Sequence, residues 1–108
     1  EAMMEVSLFE LIEAFKQVVG RMDKEDLLEI DTERISLSDR INEILEELER
    51  EKSLSFTDLL KAGRTRKSII YTLLAILELM KMRVVRAFQS DPFGPIRIFP
   101  AVEESTDG

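Results

Sequence analysis

Few side chains in this sequence have a type and spacing that could do chemistry. Glu43, Glu46, Glu47, Glu49 and Glu51 crowd one short stretch, and two carboxylates at helical spacing are the minimum for general acid–base work or for a cation held by oxygens. Either use needs a partner group. The sequence contains no His and no Cys, which removes the commonest general base, the commonest transition-metal ligand, thiolate chemistry and disulfides together. No cluster of Asp stands near the glutamates, so they read as the solvated face of a helix. Tyr71, the single tyrosine, reads as a packing residue with a wet hydroxyl. No Gly-rich phosphate loop is present. The expectation is a protein that is not an enzyme, with no catalytic residue, no cofactor and no metal.

The basic residues suggest a different chemistry. The net charge is −7, but it is unevenly spread. Residues 1–60 hold seventeen acidic and seven basic groups, a balance of −10, whereas residues 61–99 hold eight basic and two acidic groups, a balance of +6. The last nine residues add −3. Such a dipole argues for a partner surface without saying whether the partner is protein or nucleic acid. Arg64, Arg66, Lys67, Lys81, Arg83, Arg86 and Arg97 support a DNA-binding reading.

At 108 residues one compact folded unit is expected. The composition, 44% hydrophobic and 34% charged, belongs to a chain that folds rather than one that stays disordered. No apolar run approaches the roughly 20 residues that span a bilayer, and the N-terminus lacks signal-peptide character, so a cytoplasmic protein is expected. The opening Glu1-Ala2-Met3-Met4 reads as part of a longer chain.

The elements that must position these groups follow from pattern. Ser7-Leu8-Phe9-Glu10 has capping-box form, and Leu8, Leu11, Ile12, Phe15, Val18, Val19 and Met22 make an apolar helical stripe. Asp23 to Glu29 is strongly charged and either extends the helix or forms a linker, and a short strand is expected near Arg34 to Leu37. Ser38 then offers an N-cap for a helix carrying Ile41, Ile44, Leu45 and Leu48 opposite its glutamates. Ser53 to Phe56 reads as extended. Thr57 to Gly63 reads as a short N-capped helix stopped by glycine, and Thr65 caps a helix from about Arg66 to Met82. Arg83 to Gln89 and Ile96 to Phe99 form a hairpin around the Pro- and Gly-bearing loop Ser90 to Pro95. From Ser38 onward this is the order of a winged helix. The fold class is mainly α with a small β-hairpin, α+β: an amphipathic helix and charged linker over 1–29, a winged helix over 30–100, and a flexible acidic tail over 101–108.

The long helix is apolar on too many sides. At about 100° per residue, and with Ile69 at zero, Leu79, Ile76, Ile69 and Met80 lie between about 280° and 20°, and Leu73, Leu77, Ile70 and Leu74 between about 40° and 140°. A core-facing helix needs a stripe of roughly 100°. Winged-helix geometry makes Leu79, Ile76, Ala75 and Thr72 the inner set. Ile70, Leu73 and Leu77 then form an outward row flanked by Lys81, Arg66 and Lys67, which either meets a partner or is covered by the Ser7 to Met22 helix as part of an enlarged core. Periodicity alone leaves both open. The row speaks against DNA readout, which needs polar groups at base edges, and the loop Ser90 to Pro95 carries an acid and no base. An acidic, partly apolar protein surface fits better.

The stretches "SLFELIEAFKQVV", "RISLSDRINEILEELE", "SLSFTDLL", "TLLAILELMKM" and "VRAFQSDPFGPI", in that order over about residues 6 to 98, resemble the C-terminal part of bacterial segregation and condensation protein A, the kleisin subunit of SMC complexes. "LLAILEL" and "AFQSDPFGPI" are the most specific pieces. The resemblance implies a non-catalytic winged-helix domain that docks on the ATPase head of an SMC protein. It thereby closes the ring for chromosome condensation and segregation in a cytoplasmic, nucleoid-associated complex. It implies a second partner, segregation and condensation protein B, bound through a middle region largely outside this sequence. The contact so implied comprises Ile70, Leu73, Leu77, Lys81, Phe93, Gly94, Ile96 and Ile98, with Ile96 to Phe99 offering a strand edge and Phe93 either at the contact or folded back on the core. No membrane and no direct sequence-specific nucleic acid is implied, and the alternative is a DNA-binding winged-helix transcription regulator. Arg83 stands where the family often has glycine, and Pro100 and an acidic tail follow the last strand. A homodimer through the uncovered row is a further possibility for a chain without its partner.

Overall fold

The computed structural model describes residues 3–22, 35–92 and 94–101. Their elements run β1 (Met4–Val6), α1 (Leu8–Arg21), α2 (Leu37–Glu51), β2 (Leu54–Ser55), α3 (Phe56–Lys61), α4 (Arg66–Lys81), β3 (Val85–Gln89) and β4 (Ile96–Pro100). All strand pairs are antiparallel, in the order β1-β3-β4-β2. The fold is α+β and winged-helix-like, and the hairpin of the sequence reading is the centre of a four-stranded sheet. The charged stretch Asp23 to Glu29, Arg34 and most of the acidic tail lie outside the described residues.

Local chemistry fixes the helix starts. Ser7 accepts from the Glu10 amide at 3.2 Å while the Glu10 carboxylate accepts from the Ser7 amide at 2.8 Å, so two of the free amides at the start of α1 are satisfied reciprocally. Thr65 Oγ1 accepts from the Ser68 amide at 3.0 Å at the start of α4. Two caps differ from the sequence reading. Ser36, not Ser38, caps α2, in a second capping box with Asp39; Ser36-Leu37-Ser38-Asp39 has the spacing that lets both side chains reach the opposite amide, which Ser38 lacks. Ser55, not Thr57, caps α3. The strand expected near Arg34 to Leu37 is not formed by its described part: Ile35 and Ser36 are outside any strand and Leu37 opens α2.

The exit from α4 explains where β3 begins. Arg83 sits at φ 63°, the left-handed region, and its amide donates to the Met80 carbonyl at 3.0 Å while the Val84 amide donates to the Leu79 carbonyl at 2.9 Å. This pair of bonds is a Schellman stop, a position glycine fills without steric cost. Two residues are spent on it, so the strand starts at Val85 rather than at Arg83.

Period-2 alternation turns Val85, Ala87, Ile96 and Ile98 to one side of the sheet, where they are buried. Val6 and Leu54 join them. The helices close over that face with Leu11, Ile44, Leu48, Phe56, Leu60, Ile69, Ile76 and Leu79, all in the same core cluster. α4 is the hub, packed on α1, α2, α3 and β3. Each such large side chain contributes about 1.5–3 kcal/mol on burial. The one strand the sequence reading missed, β1, pairs Met4, Glu5 and Val6 with Gln89, Phe88 and Ala87, and this ties the start of α1 to the wing. Among the described residues no helix is long and apolar enough to cross a membrane.

Candidate docking surface

α4 decides which apolar residues a partner could reach. The expected inner set is inside: Thr72, Ala75, Ile76 and Leu79 are buried, and the Thr72 hydroxyl donates to the Ser68 carbonyl at 3.0 Å. Its polar group therefore enters the core already paired. The expected outward row is only partly outward. Ile70 is 46% exposed and Leu77 half-buried, but Leu73 is 8% exposed and belongs to the core. The reason is α1, which packs on α4 and widens the core on the side where Leu73 lies. Leu74, 41% exposed, takes the outer position that the reading gave to Leu73. On the helical wheel Leu74, at about 140°, stands about 100° from the nearest inner residue, whereas Leu73, at about 40°, stands only about 60° from Ile76, and that was the signal. The outer strip is thus Ile70, Leu74 and Leu77. Lys81 is exposed at its end, 3.9 Å from Glu78.

Beside the strip runs a groove between α1 and α4. Phe15, Val19, Gly20 and Met22 form one wall and Arg66, Ile69 and Ile70 the other, around a cavity of about 380 Å³. Among the described residues Arg66 is its one charged lining residue. The sequence reading saw the α1 stripe but assigned it no groove, because nothing local says how far apart two helices settle.

Two hairpin residues also change role. Ile96 and Ile98 are 7% and 0% exposed, facing the core rather than a partner. The β4 edge is not free either, since β2 pairs Leu54 with Ile98 and Ser55 with Arg97. A two-residue segment was too short for its pairing to be read from sequence. Gly94 has a local task. Its amide donates to the Asp91 carbonyl at 3.0 Å, the Gln89 side-chain amide donates to the Gly94 carbonyl at 3.1 Å, and a Cβ there would stand 2.5 Å from Asp91 Oδ1. Phe93 lies outside the described residues. On the outer sheet face Phe88 and Phe99 meet edge to face, ring centres 5.8 Å apart, between exposed Arg86 and Arg97; the reading had not singled out this pair.

Of the chemistry-bearing candidates, Glu43, Glu47 and Glu51 share one cleft. Glu43 pairs with Arg40 at 3.2 Å, and Glu47 and Glu51 line that cleft of about 310 Å³ with Arg40, Asp58 and Arg97. Among the described residues no group of three or more His, Cys, Asp or Glu is placed to hold a metal. Tyr71 carries the Lys67 ammonium 5.5 Å from its ring centre, a cation–π contact. Arg40 donates to Ser68 Oγ at 3.0 Å and ties α2 to α4, while its Nε is buried without a partner among the described residues.

What the geometry offers is a surface to bind with. The family described as Segregation and condensation protein ScpA matches residues 1–100. Curated relatives called segregation and condensation protein A include that of Myxococcus xanthus, 35% identical over 89% of this chain and 34% of its own length. That of Brevibacillus brevis is 34% identical over 95% and 40%, and that of Coxiella burnetii 33% identical over 82% and 34%. The chain therefore spans about a third to two fifths of the length of these relatives. No solved structure gives a significant match. With a match covering nearly the whole sequence, the chain belongs to the ScpA family of segregation and condensation proteins.

Proposed function

We propose that this chain is the C-terminal winged-helix part of a kleisin and that it docks without catalysis on the ATPase head of an SMC protein, closing the ring that acts in chromosome condensation and segregation. The observation that carries the reading is the outer strip of α4. Ile70 and Leu74 are large aliphatics left 46% and 41% exposed, adjacent on one helix face and ended by Lys81, in a chain whose family is one of segregation and condensation proteins. A patch of this kind on a small protein marks an interaction site. Gly94 and the wing tip complete the proposed contact, and Leu73, Ile96 and Ile98 support it from the core instead of touching the partner. The full-length protein would meet segregation and condensation protein B through its middle region, and the complex would be cytoplasmic and nucleoid-associated.

The experiment is size-exclusion chromatography of the chain mixed with a purified SMC head. Co-elution that Ile70→Arg and Leu74→Arg abolish, with both variants still folded by circular dichroism, supports the reading. Failure of the parent chain to co-elute refutes it. The alternative, a DNA-binding regulator, draws on the +6 balance of residues 61–99. It predicts binding to duplex DNA that falls steeply with salt, and the aliphatic strip on α4 opposes it.

A further inference from the structure

We infer that the groove between α1 and α4 is the seat of an acidic amphipathic helix supplied by a protein partner. The groove floor is apolar, formed by Phe15, Val19, Met22, Ile69 and Ile70, and about 380 Å³ lies in the range of sites that take several side chains at once. A helix laid between two helices fills such a trough with residues spaced i, i+3 or i+4, and i+7.

The charge around the trough chooses the occupant. Arg66 lines it and makes no ion pair among the described residues. On the α1 wall, Lys16 stands one turn before Val19 and Gly20, and it is exposed with only a loose pairing to Glu13 at 3.5 Å. Bases therefore flank the trough on both sides, Lys16 on α1 and Arg66 on α4, and among the described residues no carboxylate lines it. A second copy of the chain seated by a two-fold axis would bring the same bases against each other. A helix with an apolar stripe between rows of Glu or Asp meets them with opposite charge.

Gly20 fits the same assignment. A helical glycine costs about 1 kcal/mol relative to alanine, and a Cβ at this position would meet nothing within 4 Å. No packing among the described residues demands glycine there. The bare backbone on the groove wall lets a neighbouring helix approach closely. The groove shares Ile70 with the strip of the SMC-head reading but adds Arg66 and the α1 wall, which that reading does not use, so Arg66→Glu rather than Ile70→Glu separates the two.

The test is fluorescence anisotropy of the full chain with a labelled helical peptide of about 18 residues, five turns, with leucine along one stripe and glutamate on both flanks. A twin peptide carries lysine for every glutamate. The acidic peptide is expected to bind at least about tenfold more tightly than the twin at low salt. Ile70→Glu should weaken it by about tenfold or more, and Arg66→Glu, on an exposed residue whose change leaves the core alone, should shrink the preference severalfold. Equal binding of the two peptides, or indifference to both substitutions, overturns the inference. So does a dimer in sedimentation velocity that Ile70→Glu dissolves, since a second copy would then own the groove. Loss of peptide binding with SMC-head co-elution intact in Arg66→Glu would show that the two surfaces fail separately.

Discussion

Leu73 and Ile70 are three residues apart on one helix, and the structure gives them opposite surroundings, so truncating each to alanine separates core from docking surface. Leu73 is 8% exposed, and removing a buried leucine to alanine costs about 2–5 kcal/mol by lost transfer free energy plus the cavity left behind. Its place at the margin of the core, beside half-buried Leu77, allows partial collapse, which puts Leu73→Ala near about 3 kcal/mol. Ile70 is 46% exposed, so about half of a transfer term of about 2 kcal/mol is at stake. Alanine regains about 0.4 kcal/mol of helix propensity, leaving Ile70→Ala near about 0.5 kcal/mol. An unfolding entropy of about 2.1 cal/mol/K per residue gives about 0.2 kcal/mol/K for a chain of this length. The melting temperature should therefore fall by about 15 °C for Leu73→Ala and about 2–3 °C for Ile70→Ala. Thermal melts followed by far-UV circular dichroism, with urea midpoints at unchanged slope as the check on two-state behaviour, measure both. Equal falls for the two variants would refute the assignment of Leu73 to the core and Ile70 to the surface. The same pair governs the docking assay, because a charge at Leu73 disrupts folding before it can report on a partner, whereas a change at exposed Ile70 leaves the fold nearly intact and reports on binding.

Arg83→Gly should raise stability by about 1 kcal/mol, since the residue at φ 63° is held in the left-handed region that glycine enters freely; a melting-temperature rise of about 5 °C is expected, and no rise would mean that the Arg83 side chain contributes elsewhere. Ser36→Ala should cost about 1 kcal/mol by breaking the capping box of α2, while Ser38→Ala should be near neutral; parallel urea titrations distinguish the two, and the reverse order would return the cap to Ser38. Gly20→Ala should stabilise α1 by about 0.5–1 kcal/mol, because the added methyl meets open space; destabilisation in a thermal melt would show a close contact at that position.

Much of the chain was legible because its determinants are local. A capping box is four residues long, so the starts of α1 and α4 could be read from Ser7-Leu8-Phe9-Glu10 and from Thr65. The inner face of α4 followed from its period and from the direction in which it must hand the chain to the hairpin. The start of α2 was misread by two residues because two serines compete there, and the four-residue box that favours Ser36 is closed by its reciprocal bonds with Asp39, 3.2 and 3.1 Å. β1 was beyond local reading, and β2 was legible only as the extended segment Ser53 to Phe56, without its partner. Three and two residues carry too little pattern, and their pairing with Gln89, Phe88 and Ala87 and with Ile98 and Arg97 is made by strands more than forty residues away.

The candidate site divides in the same manner. From its residues alone the chain declares that it has no histidine, no thiol and no phosphate loop, that its second half is basic, and that its last long helix carries more apolar surface than one packing face uses. Which part of that surplus stays uncovered was settled by the seating of α1 on α4, which buried Leu73 and left Ile70, Leu74 and the groove open. A helix's own period fixes the angles between its side chains, but the neighbour's position sets where on that circle solvent begins, and that position is a sum over contacts between residues far apart in sequence.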